Sequence, residues 1–141
     1  ITRTREKHPF TIDAWVLMPD HLHCIWTLPP GDSDFSTRWS LIKRRVSMAL
    51  DERLHVEAWV SASKAKHRES TLWQRRYFEY TLRDEADFAR CVDYIHFNPV
   101  KHGHVMRVGD WPWSSFHRFV AGGLCAPDWA GGSSAGVFGE E

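Results

Sequence analysis

The chain has 141 residues, 43% of them hydrophobic and 26% charged, so it is long enough to bury a core and too apolar to remain disordered. Its 18 basic and 18 acidic side chains cancel, which argues against binding to nucleic acid or membranes through bulk charge but leaves room for local basic patches. Three cysteines without a close pair predict reduced thiols. With no long apolar run and no signal-peptide pattern, the sequence predicts a cytoplasmic protein.

The first predicted element is a β-hairpin. The apolar residues 12–18 lead into a Pro-Asp turn, and the return strand over residues 21–28 alternates between two faces. We expect Leu22 to anchor this strand in the core. His21 and His23 then share the opposite face, where two imidazoles can hold one divalent metal. Because the chain has nine histidines, two polar residues on a solvated strand face are the alternative interpretation.

A helix is predicted from Ser36 to about residue 50, with Ser36 or Asp34 as its N-cap. Apolar residues at helical spacing predict its buried stripe, and the cations between them predict a basic outer face. That face could be simply solvated, or it could follow a phosphate backbone. The expected buried residues are Trp39, Ile42, Val46, Ala49 and Leu50, and the basic ones are Arg38, Lys43, Arg44 and Arg45.

Two basic segments follow this helix. Residues 55–70 are polar and irregular and predict a mobile loop. Residues 72–82 predict a strand in which cations alternate with aromatic rings, as they do in grooves for single-stranded nucleic acid. An exposed strand with packed aromatics would have the same pattern. The cations of interest are Lys64, Lys66, Arg75 and Arg76.

A second helix is predicted from a cap at Asp84 to about Asn98, where Pro99 should end it. Its predicted buried stripe consists of Phe88, Val92 and Ile95. A short last helix is predicted to run to about Val120. We therefore expect one catalytic domain over residues 1–121 and a poorly ordered tail, rich in Gly, Ser and Ala, over residues 122–141.

Tyr94 and Asn98 are four residues apart in the second helix and should share a face beside its buried stripe. An Asn amide oxygen is a neutral metal ligand, so together with His21 and His23 it gives three ligands and leaves open positions, as catalytic metal sites do. Nitrogen and neutral oxygen donors without thiolate suit manganese or magnesium better than a structural zinc. Taken singly, Tyr94 could instead be an aromatic residue at the core edge, and Asn98 a helix cap.

Four segments in a fixed order carry a family resemblance. They are residues 14–23 (AWVLMPDHLH), 72–79 (LWQRRYFE), 94–103 (YIHFNPVKHG) and 110–116 (DWPWSSF). Over roughly residues 8 to 129, the chain resembles the REP-associated tyrosine transposases, which are HUH endonucleases that use a single tyrosine. The resemblance implies an α+β, ferredoxin-like (RRM-like) fold, an antiparallel sheet with helices packed on it. It also implies a strand and a helix before His8, so that residues 1–7 would be the end of that helix and the strand would be missing.

The same resemblance implies a function. His21 and His23 would be the HUH pair, Asn98 the third metal ligand and Tyr94 the nucleophile. The activity would be that of an Mg²⁺- or Mn²⁺-dependent, site-specific endonuclease and strand transferase for single-stranded DNA. It would act on hairpin-forming repeats through a 5′-phosphotyrosine intermediate. The protein would be located in the bacterial cytoplasm at the nucleoid, would not bind a membrane, and would be a monomer or homodimer. We assign DNA contacts to Arg44, Arg45, Lys64, Lys66, Arg75, Arg76, Lys101 and His102.

Two other functions are compatible with the residues. One is a non-catalytic module that binds hairpin DNA, or a decayed transposase that keeps the fold. The other is a metal-dependent hydrolase that uses water, for which cleavage would survive the loss of Tyr94. Both are separable from the transposase by a test for a covalent protein–DNA adduct.

Overall fold

The computed structural model describes residues 1–50, 72–73 and 77–131. In chain order its elements are α1 (Thr2–Lys7), β1 (Thr11–Leu17), β2 (Leu22–Thr27), α2 (Phe35–Ala49), α3 (Glu85–Lys101), a 3₁₀ turn (Val108–Asp110) and α4 (Phe116–Ala121). The chain forms two compact units. The first contains residues 1–9 and the described residues between 28 and 80, and the second contains residues 10–27 and the described residues from 81 to 131. No helix in the described part of the chain is both long and apolar enough to cross a membrane.

The second unit is built on the predicted hairpin. Strands β1 and β2 pair antiparallel, with Val16 opposite His23 and Ala14 opposite Ile25. A further isolated bridge joins Val16 to Ser114 at the other edge of β1. The α+β architecture, with an antiparallel sheet and helices packed on it, is confirmed.

The core of this unit lies between the hairpin and α3. Ala14, Val16 and Ile25 pack there with Val92 and Ile95, so the predicted buried stripe of the second helix is confirmed. The prediction for Leu22 is wrong: its side chain is only half-buried. The core-facing side of β2 is the one that carries His23 and Ile25, because α3 covers this side. The imidazole of His23 therefore stands at the margin of the core.

Helix α2 belongs to the first unit and starts at the predicted cap, since the carboxylate of Asp34 accepts the backbone N–H of Thr37 at 3.0 Å. Ile42 is buried as expected, but Ala49 and Leu50 are exposed. Arg38, expected on the outer face, is 2% exposed. Its guanidinium is buried because it donates to the carboxylate of Asp32 (2.6 Å) and to the carbonyls of Pro9 and Asp34.

The expected strand over residues 72–82 is also wrong for the part that the structure describes, where residues 72–73 and 77–82 form no strand. The aromatic rings of Trp73 and Tyr77 each make their own contact with a different side chain. The indole Nε1–H of Trp73 donates to Oγ of Ser47 at 2.7 Å, and the ammonium of Lys43 lies 5.4 Å from the ring centre of Tyr77. Trp73 and Tyr77 thus contact side chains of α2, and the described part of the segment forms no strand. The segment 55–70, predicted to be a loop, lies outside the described residues.

Helix α3 starts at the predicted cap, where the Asp84 carboxylate accepts the N–H of Asp87 at 2.8 Å. It does not stop at Pro99 but continues to Lys101. The proline costs one hydrogen bond, and the C-terminus is nevertheless closed by bonds from the N–H of His102 to Asn98 (3.0 Å) and from the N–H of His104 to Pro99 (2.9 Å). Gly103, at φ +71°, makes this closure possible.

The last predicted helix is confirmed as α4. Beyond it, the described chain folds back on the second unit as far as residue 131, with the ring of Trp129 centred 6.1 Å from that of Phe116. The boundary expected between residues 121 and 122 stays a prediction.

Candidate active site

Two histidine rings converge at the start of β2. The ring centres of His21 and His23 are 4.7 Å apart, and the rings meet edge to face. Their convergence follows from the strand repeat, because side chains two residues apart point to the same side of the sheet. Both side chains are half-buried, so a ligand from solvent can still reach them.

Helix α3 brings a tyrosine to this pair. The ring centre of Tyr94 lies 5.3 Å from that of His23. The ring is half-buried, and its apolar part packs against the core. Two helical turns further on, Lys101 places its ammonium 5.1 Å from the ring centre of Tyr94. The phenol ring therefore has both an imidazole and a cation as close neighbours.

Asn98 lies one helical turn after Tyr94 and is fully buried. Neither its Oδ1 nor its Nδ2 has a hydrogen-bond partner among the described residues. Such an amide costs about 1–3 kcal/mol unless something else pairs with it. A buried oxygen with a lone pair to offer, one helical turn from the tyrosine, is what a metal site would use.

Asp20 is a site residue that the sequence reasoning missed. Nδ1–H of His21 donates to Oδ1 of Asp20 at 2.6 Å, and this hydrogen bond lowers the pKa of the Asp20 carboxyl. With Nδ1 engaged, Nε2 is the nitrogen of His21 that can bind a metal, and a carboxylate behind a histidine is the usual support for such a ligand. An acidic residue directly before the histidine was the available signal.

The residues present fit a divalent cation with mixed donors. Within the described ranges, no three His, Cys, Asp or Glu side chains converge on one point. Two imidazole nitrogens and a neutral amide oxygen are nevertheless a set that Mn²⁺ and Mg²⁺ accept. The buried amide of Asn98 without a partner is the structural observation in favour of this set.

A second histidine pair lies beside the first. The ring centre of His102 is 5.8 Å from that of His21, and His104 follows at 6.4 Å from His102. Both side chains are exposed, next to the turn at Gly103. Of the residues assigned to DNA contacts, Lys101 and His102 are therefore the two that the structure brings to the histidine–tyrosine cluster.

The other assigned contacts are elsewhere. Arg44 is exposed on α2, and Arg45 is half-buried there, in the first unit. The remaining four, Lys64, Lys66, Arg75 and Arg76, lie outside the described residues.

His96 is a structural residue. It points away from Tyr94, is 2% exposed, and its Nε2 is 2.9 Å from Oγ of Ser115. Burial, with smaller contributions from the nearby charges of Arg118 and His117, lowers its pKa to about 4. The ring is therefore neutral at pH 7 and belongs to the packing of α3 on the segment before α4.

Comparison with known proteins gives one consistent result. A family model described as "Transposase IS200 like" matches residues 1–98, a range that contains both imidazoles of the first pair, Tyr94 and Asn98. A REP-associated tyrosine transposase of Escherichia coli K12 is 45% identical over 131 residues, covering 93% of this chain and 69% of the relative. A putative REP-associated tyrosine transposase of Haemophilus influenzae is 38% identical over 138 residues, covering 98% of this chain and 77% of the relative. A solved structure of a REP-associated tyrosine transposase bound to a REP hairpin superposes with a TM-score of 0.78 at 42% identity, covering 99% of this chain and 74% of that one.

Proposed function

Because this chain belongs to the IS200-like transposases, and among them to the REP-associated tyrosine transposases, we propose that it cuts and rejoins single-stranded DNA beside a hairpin through a covalent bond to Tyr94. The observation that carries this proposal is the contact of the Tyr94 ring with the His21–His23 pair. A tyrosine beside two convergent imidazoles combines a nucleophile with metal ligands.

We propose that His21 through Nε2, His23 and the Oδ1 of Asn98 hold one Mn²⁺ or Mg²⁺ ion. The engaged Nδ1 of His21 and the buried amide of Asn98 support this assignment. A divalent cation held there would polarise the scissile phosphate and stabilise the charge that develops on it. Asp20 fixes the ring orientation of His21, which keeps its ligand nitrogen aimed at the site.

The covalent step uses the phenol of Tyr94. Its Oη attacks phosphorus, the bond from phosphorus to the 3′ oxygen breaks, and the DNA 5′ end remains on the enzyme as a phosphotyrosine. The phenolic proton is lost to solvent, and the departing 3′ oxygen gains a proton to become a hydroxyl. One phosphodiester replaces another, so a second 3′ hydroxyl can reverse the step without a nucleotide cofactor.

Lys101 would hold the phosphate during this step. Its ammonium is 5.1 Å from the centre of the Tyr94 ring, on a side chain long enough to reach a phosphate oxygen at the phenol. A phosphoryl group undergoing substitution carries negative charge on its equatorial oxygens, and a nearby cation stabilises that charge.

We propose hairpin DNA as the substrate. The support is the solved relative, which is bound to a REP hairpin and is 42% identical to this chain. A protein of zero net charge must bind such DNA through local cations, and Lys101 is one at hand near Tyr94, while the exposed ring of His102 lies beside His21.

The test is formation of a covalent adduct with REP hairpin DNA in Mn²⁺ or Mg²⁺. DNA labelled at its 3′ end should become attached to the protein and survive denaturation, whereas DNA labelled at its 5′ end should be released as a shorter fragment with a 3′ hydroxyl. Tyr94→Phe should abolish both products. Tyr77→Phe and Tyr80→Phe are matched controls, because both tyrosines are partly exposed and lie in the first unit, and they should leave both products unchanged.

Two results would overturn the proposal. Tight binding of the hairpin by the unaltered protein without any adduct would identify a DNA-binding module. Cleavage that persists in Tyr94→Phe without an adduct would identify a hydrolase that uses water.

A further inference from the structure

Strand β1 contains one residue more than the strand it pairs with. Ile12 lies opposite Trp26 in β2, and Ala14 lies opposite Ile25, the residue directly before Trp26. Asp13 is therefore an extra residue between two successive pairs, which makes it a β-bulge. Bulges change the direction of the side chains that follow them and are over-represented next to active sites.

The bulge determines which face of the hairpin carries His23. Val16 is buried in the core against α3 and lies opposite His23, so both residues face that helix. Without the bulge, the pairing that begins at Ile12 would continue regularly and would put Trp15 opposite His23. Because Trp15 and Val16 are neighbours in a strand, they point to opposite faces. A slip of one residue would therefore turn His23 away from the helix that carries Tyr94.

Helix α4 supplies a cation to this bulge. Nη2 of Arg118 donates to the carbonyl of Ile12 at 3.1 Å and to the carbonyl of Asp13. These carbonyls belong to the peptide groups on either side of the extra residue, so one guanidinium holds both. Hydrogen bonds from a charged donor are about twice as strong as neutral ones. From β2, the hydroxyl of Thr27 donates to the carboxylate of Asp13 at 2.6 Å.

The start of α4 holds β1 a little further along the strand. The N–H of Ser115 donates to the carbonyl of Trp15, and the N–H of Trp15 donates to Oγ of Ser115, both at 2.9 Å. Residues 115–118 therefore contact the edge of β1 that β2 leaves free, and Arg118 reaches the bulge from there. These contacts fix the strand whose register orients His23.

We propose that Arg118 is a positioning residue for the metal ligand His23. By holding the two carbonyls at Asp13, it stabilises the hairpin register in which His23 faces Tyr94. This inference rests on the proposed function. Without Arg118 the hairpin would exchange between two registers, and only one of them brings His23 to the tyrosine.

The test combines Mn²⁺ affinity, measured by calorimetry, with hairpin register, measured by NMR. Arg118→Met removes the donors but keeps the length of the side chain. It should weaken Mn²⁺ binding by roughly 10- to 100-fold, the usual loss when the support of a ligand histidine is removed. The nuclear Overhauser effect between backbone protons of Val16 and His23 should weaken in the same variant. Arg118→Lys should restore part of both signals. Arg107→Met removes another exposed cation of the unit and should change neither.

Deletion of Asp13 separates control of register from general stability. Without the extra residue, regular pairing already places His23 opposite Val16, so the register no longer depends on Arg118. In this background Arg118→Met should leave both the Mn²⁺ affinity and the Overhauser effect unchanged. A similar loss of affinity in both backgrounds, or an unchanged Overhauser effect in Arg118→Met alone, would overturn the proposal. If the deletion variant does not fold, the Overhauser effect in Arg118→Met decides.

The register measurement needs neither metal nor DNA, so it can fail independently of the proposed function. If the unaltered protein binds no Mn²⁺ or forms no adduct while the Overhauser effect depends on Arg118, the proposed function fails and the control of register stands. If metal binding and the adduct are present and Arg118→Met changes neither affinity nor register, only the positioning role fails.

Discussion

Nδ1–H of His21 donates a hydrogen bond to the carboxylate of Asp20 across 2.6 Å. The bond engages Nδ1, so that Nε2 is the nitrogen left for the proposed metal. It also links the hairpin turn to the site, because Asp20 lies in the turn between β1 and β2. The Asp20 side chain is 85% exposed and makes no contribution to the core.

The first prediction concerns this bond. Asp20→Ala should weaken Mn²⁺ binding by roughly 10- to 100-fold, measured by isothermal titration calorimetry. Asp20→Asn should lose less because its amide oxygen can still accept from Nδ1. Asp128→Ala removes an exposed carboxylate elsewhere in the same unit and serves as the control for lost charge. Unchanged affinity in Asp20→Ala would mean that the carboxylate does not support the ligand.

The second prediction concerns Lys101. With saturating DNA, Lys101→Met should slow formation of the covalent adduct by roughly 10- to 100-fold, because it removes the cation next to the Tyr94 ring. Lys101→Arg should restore much of the rate. Arg107→Met removes an exposed cation of the same unit and should leave the single-turnover rate unchanged. An equal slowing in both methionine variants would point to a general loss of positive charge instead.

The third prediction concerns pH and stability. Burial lowers the pKa of His96 to about 4, below the 6.5 of an unfolded imidazole, so the unfolded chain binds a proton that the folded chain refuses. The stability contributed by the neutral ring is complete above pH 6.5 and is lost as the pH falls toward 4, by about 3 kcal/mol. Urea unfolding in EDTA at pH 7 and pH 4.5 measures this loss. The loss of stability between these two pH values should be clearly smaller in His96→Gln. An equal loss in the two proteins would contradict the assignment of the lowered pKa to His96.

The fourth prediction concerns the turn that carries the second histidine pair. Gly103 has φ +71° with open space around its Cα, so a side chain there meets no neighbour but strains the backbone. Gly103→Ala should lower the free energy of unfolding by about 1 kcal/mol, and Gly103→Asn by less. Gly109→Ala is the matched control, because a Cβ at that position meets its neighbours at an ordinary 3.7 Å. An equal loss in Gly103→Ala and Gly109→Ala would show that the positive φ is not the cause.

Local patterns predicted the elements better than the surfaces that they bury. The caps at Asp34 and Asp84 were readable because a carboxylate that accepts from the first turn is a local interaction. Strand alternation told which residues share a face but not which face α3 would cover, and for that reason Leu22 was misplaced. Arg38 was assigned to solvent by its charge, although Asp32 and two carbonyls make its burial possible.

In the candidate site, too, local repeats predict some of the residue positions and not others. The repeats of strand and helix place His21 with His23 and Tyr94 with Asn98. The 5.3 Å contact between His23 and Tyr94 joins residues 71 positions apart, and no local repeat predicts such a contact. The family resemblance predicted it instead. The pairing of β1 with the segment around Ser114 also joins distant parts of the chain, and the sequence alone did not reveal it.

The most direct measurement of the central claim is a crystal structure of the protein with Mn²⁺, in which the anomalous signal locates the metal. We predict one peak bound by Nε2 of His21, a ring nitrogen of His23 and Oδ1 of Asn98, next to the phenol of Tyr94. The peak should disappear in crystals of Asn98→Ala and His23→Ala grown under the same conditions. A metal bound elsewhere, or no peak at saturating Mn²⁺, would contradict the account.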